Sequence, residues 1–285
     1  MNILVTGANG FIASNIIKLL SDNTNFNFYR GTKSTIDLYS KNNIEKYLDD
    51  NKIDTIIHCA IEGGKRLTND TEKVFYNNIL MTQNLLSCKI SGSFINISSG
   101  AEFDRRRDIF NFKEHEIYNS YPIDYYGLSK NIISKLINNT DNGFNLRIFG
   151  CFNYNENPTR MIWSNLINYI NKRPMIIHQD KYIDFIYVKD LCKLILYILN
   201  NQIENFKTKD INVVYKEKYK LSDITNIINK LEDYKVDINI ENNDMGLSYT
   251  GCDSSLSSLN LNLNGLEVGI KEIYDSYKFN IDIGN

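Results

Sequence analysis

Apolar positions along this chain alternate between short uninterrupted runs and longer stretches at helical spacing, and the order of the two predicts the architecture. Met1 to Val5 is a short apolar run ending in the turn TGANG, after which Phe11, Ile12, Ile16, Ile17, Leu19 and Leu20 recur at helical spacing. A strand-like run, Phe26 to Tyr29, gives way to a polar stretch. Thr55 to Ala60 (TIIHCA) is a β-branched run of the kind buried inside a parallel sheet. Val74 to Leu86 then reads as helix, Ser93 to Ser98 as strand, Tyr126 to Ile137 as helix and Asn145 to Phe149 as strand. Strands alternating with helices make βαβ units, whose crossovers wind right-handed, so the first half predicts a doubly wound parallel sheet.

Beyond Phe149 the rhythm breaks. A loop from Gly150 to Pro158 precedes a helix near Arg160 to Tyr169, a strand-like Phe185 to Tyr187 and an apolar helix, Asp190 to Leu199, that returns to the main sheet. A strand at Ile211 to Tyr215, a helix at Ser222 to Leu231, a strand at Val236 to Ile240 and a final helix from Gly265 to Tyr277 complete the pattern. The expected fold class is α/β, a doubly wound parallel Rossmann sheet with a smaller C-terminal α+β substrate lobe. Residues 1–152 plus 184–200 form the expected dinucleotide-binding domain, and residues 153–183 plus 201–285 the lobe. Ligands of such sheets bind beyond the carboxyl ends of the strands, where the winding reverses.

Composition narrows the function. A chain of 285 residues can bury a sizeable core. With 32 Lys and Arg against 34 Asp and Glu, the net charge of −2 gives no overall positive field for a nucleic acid. The five cysteines, Cys59, Cys88, Cys151, Cys192 and Cys252, are scattered without C-x-x-C spacing, which fits reduced thiols rather than disulfides or zinc ligands. His58, His115 and His178 lack paired-ligand spacing, so no metal site is expected. The start shows no signal-peptide pattern and no segment approaches the ~18 apolar residues of a membrane span, so the expectation is a cytoplasmic protein without a membrane partner.

The chemistry is carried by a few positions. Gly7, Asn9, Gly10, Phe11 and Ile12 lie at the first strand–helix junction, where a pyrophosphate needs close backbone approach and the free N–H groups of a helix start. Ala13 stands where a third glycine is usual. After the second strand an acid would indicate NADH, whereas basic residues accommodate a 2′-phosphate. Arg30 and Lys33 therefore favour NADPH over NADH, with Asp37 and Leu38 placed to line the adenine end. Tyr-x-x-x-Lys occurs three times, at Tyr29/Lys33, Tyr126/Lys130 and Tyr274/Lys278, but only the middle pair opens a helix of the first half after a strand ending in Ser98-Ser99. One helical turn puts Lys130 on the face of Tyr126, where its ammonium is expected to depress the phenol pKa. Such a phenol gives a proton to, or takes one from, a sugar or alcohol oxygen.

TGANGFIA, His58-Cys59-Ala60, Asn78 in YNNILMT, ISSGAEFD, YYGLSK, LRIFG and DFIYVKD, in this order, resemble the extended short-chain dehydrogenase/reductases of the NAD-dependent epimerase/dehydratase family. The resemblance is specific over the first two hundred residues and loose afterwards. It implies that Ser99 hydrogen-bonds the substrate oxygen, Tyr126 is the general acid/base and Lys130 holds the nicotinamide ribose. It also implies that Cys59, Ala60 and Asn78 border the cofactor, that the substrate is a nucleotide-linked sugar and that the chain forms a homodimer. In family dehydratases a Glu lies two residues after the catalytic Ser or Thr, and here that residue is Ala101, while Glu102 should point to the other side of an extended segment. A methyl group cannot abstract a proton, so reduction of a keto sugar is favoured. The alternatives are a 4-epimerase with tightly bound NAD and a non-catalytic dinucleotide sensor. Family members that bind UDP-sugars commonly carry Arg where this chain has Ile183, so Arg105, Arg160, His178 and Lys181 are the substrate-binding candidates.

Overall fold

The computed structural model describes residues 1–64 and 70–283, so residues 284 and 285 of the expected lobe lie outside the described residues. Its strands are β1 (Asn2–Thr6), β2 (Asn27–Gly31), β3 (Thr55–His58), β4 (Phe94–Ser99), β5 (Ile109–Phe112), β6 (Gly143–Ile148), β7 (Cys151–Phe152), β8 (Met175–Gln179), β9 (Ile186–Tyr187), β10 (Asp210–Asn212), β11 (Ile238–Asn242) and β12 (Tyr249–Gly251). Its α-helices are α1 (Phe11–Leu20), α2 (Lys41–Asp50), α3 (Glu72–Leu86), α4 (Tyr125–Asn138), α5 (Met161–Ile170), α6 (Val188–Asn200), α7 (Leu221–Ile228), α8 (Ser254–Ser257) and α9 (Leu266–Ile283). No helix among the described residues is long and apolar enough to cross a membrane.

Six strands form one parallel sheet in the order β10-β6-β4-β3-β1-β2. The chain winds outward from β1 to β2 and then crosses to the other side of β1 with β3, so the topological switch falls between β1 and β3. Alternation within the apolar runs supplies both faces of the core. Ile3, Val5 and Ile57 pack with Ile16 of α1 and Leu194 and Ile195 of α6, whereas Leu4 and Ile56 pack with Ile44 of α2, Leu85 of α3 and Ile133 of α4. This is the doubly wound Rossmann arrangement that the sequence predicts.

Two features depart from that reading. The polar stretch after β2 contains α2, whose sequence KNNIEKYLDD offers only Ile44 and Leu48 as buried residues. These two, one turn apart, contribute roughly 1.5–3 kcal/mol each by burial, and Ser40 caps the first turn by accepting from the Asn43 N–H. The strand expected at Ile211 to Tyr215 shortens to β10 and pairs with β6, so it completes the main sheet rather than belonging to the 201–285 lobe. It forms one edge of that sheet, with its Ile211 side chain fully buried in the core. Three two-stranded parallel pairs, β5–β12, β7–β9 and β8–β11, carry the remaining strands above the carboxyl ends of the sheet.

Candidate active site

The glycine turn closes tightly on the switch point. Gly7 has φ +64°, and a Cβ built there would lie 2.9 Å from the backbone of Ala60, so only glycine permits this approach of the β1 and β3 ends. Thr6, which sequence reasoning passed over as part of the turn, locks those ends together. Its hydroxyl meets His58 Nδ1 at 2.8 Å and accepts the Cys59 and Ala60 N–H groups at 3.1 Å each. α1 opens at Gly10 without a side-chain cap, which leaves its first N–H groups for an anion. His58 is a packed residue. Burial, helped by the Lys130 charge, holds its imidazole down at a pKa of about 3 and therefore neutral.

Beside the turn lies a cavity of about 240 Å³ bordered by Gly7, Lys33, Asp37, Leu38, Ala60 and Met81. Arg30 turns back instead, donating to Ala8 O at 3.0 Å and Asn9 Oδ1 at 3.3 Å, so its guanidinium stands over the glycine turn. Asp37 accepts from the Tyr39 N–H at 2.9 Å, and Tyr39 in turn donates to Glu62 at 2.7 Å across the cavity mouth. Asn78 borders neither this cavity nor the two described next. Its fully buried amide is spent on Glu62 N (2.8 Å), Glu62 O (3.1 Å) and Ser129 (3.1 Å), and so it fixes the loop after β3 to α3 and α4.

A second cavity, about 190 Å³, is lined by Phe11, Ile12, Cys59, Ser99, Tyr126 and Lys130 among others. A third, about 540 Å³, brings Ser99 and Tyr126 together with Arg105, Arg160, Lys181, Ile183 and Tyr249. Ser99, Tyr126, Phe149, Gly150 and Arg160 border both. His178 is absent from this wall. On β8 alternate residues face opposite ways, and His178 shares the exposed face with Ile176, its ring bonded to Glu241 of β11.

α4 presents the tyrosine because Asp124 caps it, accepting from Gly127 N at 2.7 Å, while its other oxygen pairs with Arg105 at 2.8 Å. The Tyr126 ring lies under the loop after β3, since a Cβ on Gly64 would come within 2.8 Å of it. Its pKa is not depressed by Lys130 as the spacing suggested. Burial pushes the phenol up, the Ser99 hydrogen bond and the Arg105 charge pull it back, and Glu102 and Asp124 push it further up. Lys130 instead reaches inward, donating to Ile97 O at 2.9 Å, and burial lowers its ammonium to about 8.

Glu102 stays off the cavity walls, as expected, but its backbone departs from the extended chain expected there. The segment after Ser99 is a 3₁₀ turn, not extended chain, and it folds Glu102 into the interior against Ser98, Ser134 and Arg147. No carboxylate, histidine or cysteine lines the 540 Å³ cavity among the described residues.

Glu156, one turn before Arg160, is buried with one carboxyl oxygen lacking a hydrogen-bond partner and the other 3.8 Å from Arg160. Burial raises its pKa from 4.5 to about 8. The folded chain thus holds this proton where the unfolded chain has lost it, and the associated stability fades as pH rises from about 4.5 to about 8. Glu156→Gln is expected to flatten the fall of the thermal midpoint across that window, measured on the nucleotide-free chain. An unchanged slope would contradict the assignment.

The residues present fit a dinucleotide: a collision-limited glycine turn, an uncapped helix start and two adjoining cavities. Comparisons with known proteins agree. The chain is 25% identical over 250 residues to a GDP-6-deoxy-D-talose 4-dehydrogenase of Aggregatibacter actinomycetemcomitans, covering 84% of this chain and 82% of that protein. It is 27% identical over 263 residues to a GDP-L-colitose synthase of Yersinia pseudotuberculosis, covering 82% and 83%. Its fold superposes with a TM-score of 0.82 on a GDP-mannoheptose C4 reductase from Campylobacter jejuni with NADP bound, at 15% identity and covering 97% and 98% of the two chains. The profile of the NAD dependent epimerase/dehydratase family matches residues 3–213, and the chain belongs to that family.

Proposed function

We propose that this protein is an NADPH-dependent reductase acting on a keto group of a nucleotide-activated sugar. The observation that carries the reading is that Ser99 and Tyr126 stand on the shared wall of two cavities. One runs to Phe11 and Ile12 at the start of α1 and to Lys130, and the other is lined by three cations, Arg105, Arg160 and Lys181. Three cations on one cavity wall suit a diphosphate even though Arg105 also pairs with Asp124 and Arg160 lies near Glu156, and the relatives named above carry GDP-sugar names.

When bound, the nicotinamide supplies a hydride to the carbonyl carbon. Ser99 donates a hydrogen bond to the carbonyl oxygen, and Tyr126 transfers its phenolic proton to that oxygen, which becomes a hydroxyl; solvent then reprotonates the phenolate. Lys130, on the wall of the smaller cavity, would hold the ribose. Dehydration or double epimerisation needs a further base, and the cavity wall offers Ala101 where a carboxylate would have to stand.

Arg30 borders the turn and Lys33 the adenine-side cavity, the side on which a 2′-phosphate of NADPH would lie. The double substitution Arg30→Ala with Lys33→Ala is expected to weaken NADPH binding roughly ten- to hundredfold, the loss of charge-assisted contacts, while NADH binding changes little. Titration of both nucleotides by fluorescence checks this; equal losses for the two would contradict the NADPH preference. The function itself is tested by following NADPH oxidation against a panel of 4-keto and other keto nucleotide sugars. Oxidation with one of them is expected. Interconversion of two sugars by tightly retained NAD, without NADPH oxidation, would replace the reading with a 4-epimerase.

A further inference from the structure

Two of the cavities meet at one residue. Ile61 borders both the 240 Å³ cavity beside the glycine turn and the 190 Å³ cavity that carries Tyr126 and Lys130. A dinucleotide with its nicotinamide in the second places its adenosine in the first, on the far side of Ile61. Glu62 follows Ile61 in the chain and, with Tyr39, lines the adenosine cavity. Ile36, Leu38 and Met81 on its floor are buried, whereas Tyr39 is 40% exposed, so the Tyr39–Glu62 side faces solvent.

Two loops form this outer side, and α3 fastens both. On the loop between β2 and α2, Leu38 O accepts from Asn84 at 3.0 Å, and the Tyr39 N–H donates to Asp37 at 2.9 Å. On the loop between β3 and α3, Asn78 accepts the Glu62 N–H at 2.8 Å and donates to its carbonyl at 3.1 Å, while Asn77 donates to carboxyl Oε2 at 2.8 Å. With the loops pinned to one helix, the Tyr39 phenol donates to Glu62 Oε1 at 2.7 Å and bridges them.

Burial, then the Glu62 hydrogen bond, pushes the Tyr39 phenol up to about 12, and the Glu62 and Asp37 charges act in the same direction. Burial pushes the Glu62 carboxyl up, but the Tyr39 and Asn77 hydrogen bonds and the Lys33 and Lys73 charges bring it below its ordinary value. A protonated phenol thus faces an ionised carboxylate in a charge-assisted bond. Both groups are spent on neighbours: the phenol has given its single proton, and each carboxyl oxygen holds a donor. Such a pair is suited to covering a ligand rather than to gripping it.

We propose that Tyr39 and Glu62 form a clasp over the adenosine end of the coenzyme, a bond that opens each time the nucleotide passes and re-forms over the bound nucleotide. The inference rests on the dinucleotide reading of the site and adds to it two residues that set the rate of exchange rather than the affinity. Phenylalanine at 39 keeps the ring and removes only the hydroxyl.

The test is nucleotide exchange in the full-length chain. Stopped-flow fluorescence measures association of NADPH and of NADH, and a chase with excess oxidised nucleotide measures dissociation. Tyr39→Phe is expected to raise both rate constants by the same factor, roughly three- to tenfold, the scale of one partly exposed hydrogen bond, and to leave Kd within about twofold. The factor should be alike for NADPH and NADH, which share the adenosine. Glu62→Ala should accelerate exchange likewise, and adding Tyr39→Phe to it should change the rates by less than about twofold, because the phenol has then lost its partner. Unchanged rates in Tyr39→Phe would overturn the clasp. Faster dissociation alone, with a weakened Kd, would overturn it too and make Tyr39 a direct contact of the nucleotide. A chain that shows the expected exchange rates yet reduces no keto sugar would defeat the proposed function alone. One that reduces keto sugars with exchange unmoved by Tyr39→Phe would defeat the clasp alone.

Discussion

Tyr126→Phe is expected to lower turnover by ~10²–10⁴ while NADPH affinity stays within about twofold. The phenylalanine ring still fills the space under Gly64, and the groups assigned to the dinucleotide, the Gly7 turn and the uncapped start of α1, are untouched. What disappears is the phenolic proton donor that stands with Ser99 on the wall shared by both cavities. Because burial raises the phenol while Ser99 and Arg105 pull it down, the loss should concentrate in kcat and leave KM nearly unchanged. Steady-state kinetics with nucleotide titration check both halves. Turnover within threefold of wild type would remove Tyr126 from proton transfer.

The second large effect concerns stability. Arg147 on β6 is fully buried and donates through Nε to Glu102 at 2.8 Å and through Nη1 to Asn212 at 3.0 Å, while Nη2 stands 2.9 Å from Asp210. Its guanidinium also lies over the Phe103 ring at 5.2 Å. Arg147→Met leaves Glu102 and Asp210 facing each other without a counter-charge, and breaking a buried pair from one side costs about 3–5 kcal/mol. Glu102 is the sharper loss, since burial alone already raises its pKa and Arg147 is the largest influence holding it down. Urea unfolding is expected to show the midpoint fall by that equivalent, and adding Glu102→Gln should recover part of it. A shift under about 1 kcal/mol would show the network to be incidental. The consequence reaches catalysis, because Glu102 also approaches the Ser99 N–H and thus braces the turn that carries Ser99.

The parts of this site legible in the sequence are those that one local element carries. TGANG sits between a strand and its helix, and Tyr126 and Lys130 are one turn apart, so spacing alone brings them forward. The periodicity also exposed β1, β3, β4 and β6, whose side chains are almost wholly buried. It missed α2 because two apolar residues in ten leave too faint a stripe, and it missed the exposed alternate positions of β8 that carry His178 to solvent. Tertiary partnerships left no local trace. Arg147 meets Glu102 and Asp210 across distant segments, Lys130 bonds a β4 carbonyl instead of tuning the phenol, and Tyr249 joins Ser99 on one cavity wall from β12. The alternation of Tyr249 and Gly251 around a buried Thr250 was the one available hint, and three residues of strand cannot say what they face.

Deuteride transfer tests the central claim most directly. With NADPH carrying deuterium at the transferred position of C4 and a keto nucleotide sugar as substrate, the account predicts an alcohol product one mass unit heavier, formed in equal amount to the nucleotide oxidised. Formation of an epimerised sugar with no deuterium, at constant NADPH, would contradict it.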